Sequence, residues 1–213
     1  MIRQSKVEIL PTDRRKPEGS FYISWIVLST LCIPIAYVFT IIILKIITDM
    51  VGDFVYVNGV NHITEDYLFM YVFVPIVSLL TGVMQYGLLR RFLPRMGWWV
   101  LATFAGWLLG FLLIALPSRL RWIDPPLMNL DLILIIMGFA IGVTQWLVLR
   151  RTLTRAGWWI VANILGWVLL GWIIPGNSLS QSGLILLGLL PACATAVILV
   201  VLMNRVPSTE PRL

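Results

Sequence analysis

Side chains that ionise, ligate metal or attack carbon are sparse in this 213-residue chain, and they are scattered. The single histidine, His62, stands near Asp53, Glu65 and Asp66, a set that makes a metal site only if several of its members converge. One histidine without a second at ligand spacing points to a solvated loop instead, so no metal is assigned. The two cysteines, Cys32 and Cys193, lie far apart inside apolar stretches, which argues against a disulfide framework or a thiolate site. Serine, threonine and cysteine nucleophiles need a base, and the long apolar stretches contain no Asp, Glu, His or Arg, only Lys45 near the end of the first. The expectation is a chain that is not an enzyme and has no catalytic residues. The same shortage argues against proton-coupled pumps and voltage sensors, which place ionisable groups within the membrane. No phosphate-binding loop, nucleotide fingerprint or selectivity-filter sequence is present.

Neutral amides are the remaining candidates. Gln85 and Gln145 each sit about one turn inside the end of an apolar stretch, where a polar group must find a partner in a medium that offers few. They are read as contacts to a neighbouring helix or, alternatively, to a ligand. Asn163 joins them as a weaker candidate, because its counterpart in the repeat described below is Thr103.

The elements that carry these residues follow from composition. Hydrophobic residues make up 59% of the chain, charged residues only 12%, and the mean hydropathy is +0.91, values far from those of soluble domains. A bilayer crossing takes about 20 mostly apolar residues. Six such stretches occur, at roughly 21–47, 67–89, 98–117, 132–149, 158–175 and 183–203, predicting an all-α integral membrane protein. Residues 1–20 form a polar N-terminal segment, 21–203 the six-span domain and 204–213 a tail. The first stretch has no small-residue cleavage pattern after it and is read as a retained span. The fifth and sixth are separated at Pro175-Gly176-Asn177, a combination typical of turns.

Basic residues orient the spans. Thirteen of the sixteen, among them Arg3, Lys6, Arg14, Arg15, Lys16, Arg205 and Arg212, fall on one side; only Lys45, Arg119 and Arg121 belong to the other. Both termini are therefore expected in the cytoplasm. The net charge of +6 comes from short blocks between apolar stretches, a pattern that orients helices and does not suggest nucleic acid. Of the two outer connections, 48–66 contains Val55-Tyr56-Val57 and Asn58-Gly59, signals for a short hairpin, and 118–131 is stiffened by Pro125-Pro126.

The middle of the chain is duplicated. Residues 82–107 and 142–167, offset by 60, match at 14 of 26 positions in the pattern G-V-x-Q-[YW]-x-x-L-R-R-x-L-x-R-x-G-W-W-x-x-A-x-x-x-G-W. An offset containing two spans makes the copies (about 67–117 and 132–175) parallel, unlike the inverted repeats of many secondary transporters. Arg90, Arg91, Arg95, Arg150, Arg151 and Arg155, with Trp98, Trp99, Trp158 and Trp159, are read as headgroup anchors or as a docking surface for an acidic partner. Gly97 and Gly157 are expected to let the chain reverse. Small residues recur about four apart as Ser78 and Gly82; Ala102, Gly106 and Gly110; Gly138 and Gly142; and Ala162 and Gly166, seams expected to close each hairpin.

The stretch from Gln85 to Trp107 and its copy from Gln145 to Trp167 resemble a motif of uncharacterised bacterial multi-span membrane proteins. The resemblance covers about residues 70–175 and implies a bacterial inner-membrane location; it brings no activity, substrate or site residue with it. The functional expectation is an accessory or scaffolding subunit of a larger membrane complex, contacting lipid, pigment or partner helices, with no cofactor predicted. The alternative is a small channel or carrier whose path between the hairpins is lined by Gln85, Gln145, Thr81, Thr144 and Asn163.

Overall fold

The computed structural model describes residues 18–57, 59–119, 130–173 and 181–204. Segments 1–17 and 205–213, most of the Pro125-Pro126 connection and the Pro175-Gly176-Asn177 turn lie outside the described residues. The described residues form six α-helices: α1 (Gly19–Val51), α2 (Thr64–Leu89), α3 (Trp99–Arg119), α4 (Leu130–Leu149), α5 (Trp158–Ile173) and α6 (Gln181–Asn204). Five are long and apolar enough to cross a membrane, and the chain is that of a multi-pass membrane protein. The sixth, α5, is equally apolar but has 16 residues, about 24 Å of rise.

These helices are hydrophobic on every face, as expected where the surroundings are lipid. Large side chains such as Ile42, Leu101, Phe139, Leu165 and Val197 stand exposed on the outside of the bundle. Each helix packs against its sequence neighbours, and α6 returns to α1, so the six close into a ring. Two clusters fill it. One, at the end carrying the arginine turns, gathers Phe21, Trp25, Leu89, Trp99, Leu149, Trp159, Leu199 and Leu202; the other gathers Ile33, Phe73, Val77, Trp107, Met137, Ile141, Trp167 and Leu170.

At the opposite end, the connection 48–66 is shorter than the apolar stretches suggest. Helix α1 runs on to Val51, and α2 starts at Thr64, where Glu65 and Asp66 in its first turn suit the positive end of the helix dipole. Between them β1 (Phe54–Val57) and β2 (Val60–Ile63) form the antiparallel hairpin, pairing Phe54 with Ile63 and Val57 with Val60, with Gly59 at φ +83° in the turn. Thr64 ties it down by donating Oγ1–H to Gly52 O over 2.7 Å.

The two arginine turns are alike residue by residue. In both, residues 90–98 and 150–158 follow one burial pattern, with all six arginines exposed and Leu93, Met96, Leu153 and Ala156 buried. Arg90 lies over the Tyr86 ring at 5.8 Å and Arg150 over the Trp146 ring at 5.1 Å. One expectation fails here. The chain reverses through Arg95 (φ 62°) and Arg155 (φ 59°) and not through Gly97 and Gly157, whose φ is not positive and whose added Cβ would touch nothing within 4 Å. Gly97→Ala is therefore expected to change stability by less than about 0.5 kcal/mol, whereas Arg95→Val, a β-branched residue in the left-handed region, costs about 1–2 kcal/mol. Thermal unfolding in mild detergent measures both.

Candidate functional site

Of each adjacent tryptophan pair, one ring faces out and one faces in. Trp98 and Trp158 are 61% and 56% exposed and suit an interfacial role, while Trp99 and Trp159 are fully buried, at 0%. The reading of Trp99 and Trp159 as headgroup anchors is thus corrected. Successive residues on a helix point about 100° apart, and the second ring of each pair is carried to the bundle axis. There they meet Trp25 of α1, also 0% exposed. The three indoles contact one another edge to face, with centroids 5.8 Å (Trp99–Trp159), 5.9 Å (Trp25–Trp159) and 6.5 Å (Trp25–Trp99) apart.

An indole N–H can only donate, so each buried ring needs an acceptor. Trp99 Nε1 donates to Gln85 Oε1 (3.3 Å), Trp159 Nε1 to Gln145 Oε1 (2.9 Å) and Trp25 Nε1 to Thr195 Oγ1 (3.2 Å). With both carboxamide oxygens turned to the indoles, the amide nitrogens are left to donate elsewhere. Gln85 Nε2 reaches Ser29 Oγ on α1 at 3.2 Å; Gln145 Nε2 reaches Thr103 Oγ1 on α3 at 3.0 Å and, less closely, Gln85 Oε1 at 3.4 Å. Gln85 and Gln145 are therefore directly joined and are contacts between helices. Asn163 donates Nδ2 to its own helix at Trp159 O, 2.9 Å away. Thr103 and Thr195 in turn donate to carbonyls within their helices.

Beside this network lies an axial cavity of about 50 Å³ to which all six helices contribute. Its polar lining is Ser29, Thr81, Gln85, Gln145, Asn163 and Thr195; Trp107 and Trp167, whose centroids are 5.5 Å apart, line it farther from the arginine turns. Thr144, predicted beside these residues, bonds to Ala140 O and Ile141 O and is not part of the lining.

The small-residue seams divide into two sets. Gly82 faces Val100 and Thr103, and Gly138 and Gly142 face Ile164 and Ile160, so these do close the hairpins α2–α3 and α4–α5. Gly106 and Gly110 instead face Ile141 and Met137 of α4, and Gly166 faces Pro191 of α6. For these three the expected contact within a hairpin is corrected to one between hairpins. Of the remaining seam residues, Ser78 is wholly buried and bonds to Pro75 O, Ala162 is buried, and Ala102 packs beside the tryptophan cluster.

Sequence reasoning missed Trp25, Ser29, Gly188 and Thr195. The available signal was faint. Trp25-Ile26-Val27 repeats Trp159-Ile160-Val161, and Gly188 precedes Thr195 by the seven residues that separate Gly138 from Gln145. Trp25 and its partner Thr195 are 170 residues apart, at opposite ends of the chain, where no local pattern links them. Comparison with protein families, with curated proteins and with solved structures found no match for this chain.

Proposed function

We propose that this protein is a non-catalytic scaffold of the bacterial inner membrane, an accessory subunit that presents a rigid ring of helices to lipid and to the spans of a larger complex. The observation that carries this reading is the trio Trp25, Trp99 and Trp159, wholly buried where a path along the axis would have to run. The two glutamines, candidates for ligand contact, are spent on each other, on these indoles and on Ser29 and Thr103. Outward, the bundle offers large apolar side chains, to which lipid tails and partner helices are both suited.

In this reading the two hairpins are parallel copies, the arginine turns and both termini face the cytoplasm, and the β-hairpin faces out. The exposed Arg90, Arg91, Arg95, Arg150, Arg151 and Arg155, flanked by Trp98 and Trp158, hold the headgroup layer. Solubilisation in a mild detergent followed by native gels and cross-linking mass spectrometry tests the proposal. A defined membrane subunit in constant ratio to this chain is the expected result; a lone monomer after cross-linking in intact membranes overturns it.

The polar lining of the axial cavity favours a channel or carrier as the second reading. It requires flux of a small solute in proteoliposomes that Gln85→Leu combined with Gln145→Leu abolishes.

A further inference from the structure

The bonds of the three tryptophans repeat with a common geometry. Counting from the indole's acceptor, Gln85, Gln145 and Thr195 are each followed four residues later by a fully buried leucine, Leu89, Leu149 and Leu199. They are preceded seven residues earlier by Ser78, Gly138 and Gly188. Gly138 abuts the fifth residue after Trp159, Ile164, and Gly188 abuts the fifth after Trp25, Thr30; in both, an added Cβ would lie 2.9 Å from that Cα. Counting from the tryptophans, the fourth residues are Ser29, Thr103 and Asn163. Two of these accept an amide proton from a glutamine of another hairpin, Ser29 from Gln85 and Thr103 from Gln145. For the third, Asn163, the corresponding donor would stand at position 195, where threonine is two heavy atoms shorter than glutamine and carries no amide.

The axial cavity is bounded by the residues around this unfilled contact. Asn163 and Thr195 line it, together with Leu187 and Pro191. The only hydrogen bond of the Asn163 side chain among the described residues is the one Nδ2 donates, which leaves Oδ1 as an acceptor. Pro191 has no N–H to give to the carbonyl of Leu187 one turn earlier, which adds a second acceptor. None of the described residues that line the cavity is charged, so an ion there would be uncompensated by them. Its volume of about 50 Å³ is far below the roughly 300–1,000 Å³ of pockets that hold cofactors or drug-sized ligands. A cavity with polar groups in its wall holds a water molecule once about 10–15 Å³ is open to its centre, so about 50 Å³ is room for a few.

We infer that α6 and α1 form a third, diverged copy of the repeated hairpin, closed across the two ends of the chain, and that its lost glutamine is replaced by a site for a few water molecules, which donate to Asn163 Oδ1 and the Leu187 carbonyl. The inference holds whether the chain scaffolds or conducts.

Hydroxyl-radical footprinting by X-ray radiolysis, read by mass spectrometry on the full chain in nanodiscs, tests it, because radicals form on bound water and mark the side chains beside it. Trp159 and Trp167, which line the cavity, are expected to oxidise several-fold faster than Trp25 and Trp99, which are also buried and do not line it. Thr195→Gln restores the missing amide; it is expected to suppress that oxidation and to raise the unfolding temperature by about 2–4 °C. Equal oxidation of all four residues in the unaltered protein means a dry cavity and overturns the water site. A folded Thr195→Gln protein that is less stable overturns the third copy. Should Thr195→Gln fail to fold, Asn163→Leu serves instead: it removes the side-chain acceptor of the two, and oxidation of Trp167 that does not fall in it overturns the site.

Discussion

Trp159→Ala is expected to destabilise the bundle by about 3–5 kcal/mol, whereas Trp158→Ala, one residue away, costs less than about 1 kcal/mol. The residue type is the same and the surroundings are opposite: Trp159 is 0% exposed and Trp158 is 56% exposed. Removing Trp159 deletes two edge-to-face ring contacts, to Trp25 and Trp99, each worth about 0.5–1.5 kcal/mol beyond packing. It also leaves Gln145 Oε1 without its donor, and an unsatisfied buried acceptor costs about 1–3 kcal/mol. Unfolding by titration of a mild detergent with a denaturing one, followed by circular dichroism, measures both variants. Equal costs would show that Trp159 is an interfacial anchor after all.

Glycine substitutions in the helices are expected to differ in sign according to what faces them. At Gly106 an added Cβ meets the Thr144 hydroxyl and lies 2.8 Å from Ile141 Cα, a backbone atom that cannot turn aside. Helices α3 and α4 must then separate, which stretches the 3.0 Å bond from Gln145 to Thr103, and Gly106→Ala costs about 3 kcal/mol. At Gly110 the obstruction is Met137 Sδ, 2.6 Å away at the flexible end of a side chain, so Gly110→Ala costs less. At Gly87 nothing lies within 4 Å, and Gly87→Ala stabilises by about 0.5–1 kcal/mol through helix propensity alone. The same unfolding titration ranks the three. Gly106→Ala as mild as Gly87→Ala would mean that α3 and α4 are not in backbone contact.

The amino-acid sequence by itself determined the helices and the likeness of the two arginine turns. Those follow from local physics: runs of apolar residues long enough for lipid, a β-hairpin signalled by Asn58-Gly59, and a 60-residue offset visible letter by letter. It also singled out Gln85 and Gln145, because an amide in an apolar stretch stands out wherever its partner lies. Only the tertiary structure decided which tryptophan of each pair turns inward, since that depends on the rotation of α3 and α5 about their own axes. The same rotation decided that Gly106, Gly110 and Gly166 serve contacts between hairpins, while Gly82, Gly138 and Gly142 close them.

The partner of Trp25 was likewise beyond local reading. Ring closure of α6 onto α1 joins two ends of the chain whose residues at the equivalent positions, threonine and serine, are too common to signal anything alone. Periodicity and composition act along the chain and are legible in it. The tryptophan trio, its hydrogen bonds and the axial cavity arise from residues 14, 42, 56 and 170 positions apart, and only the closed ring brings them together.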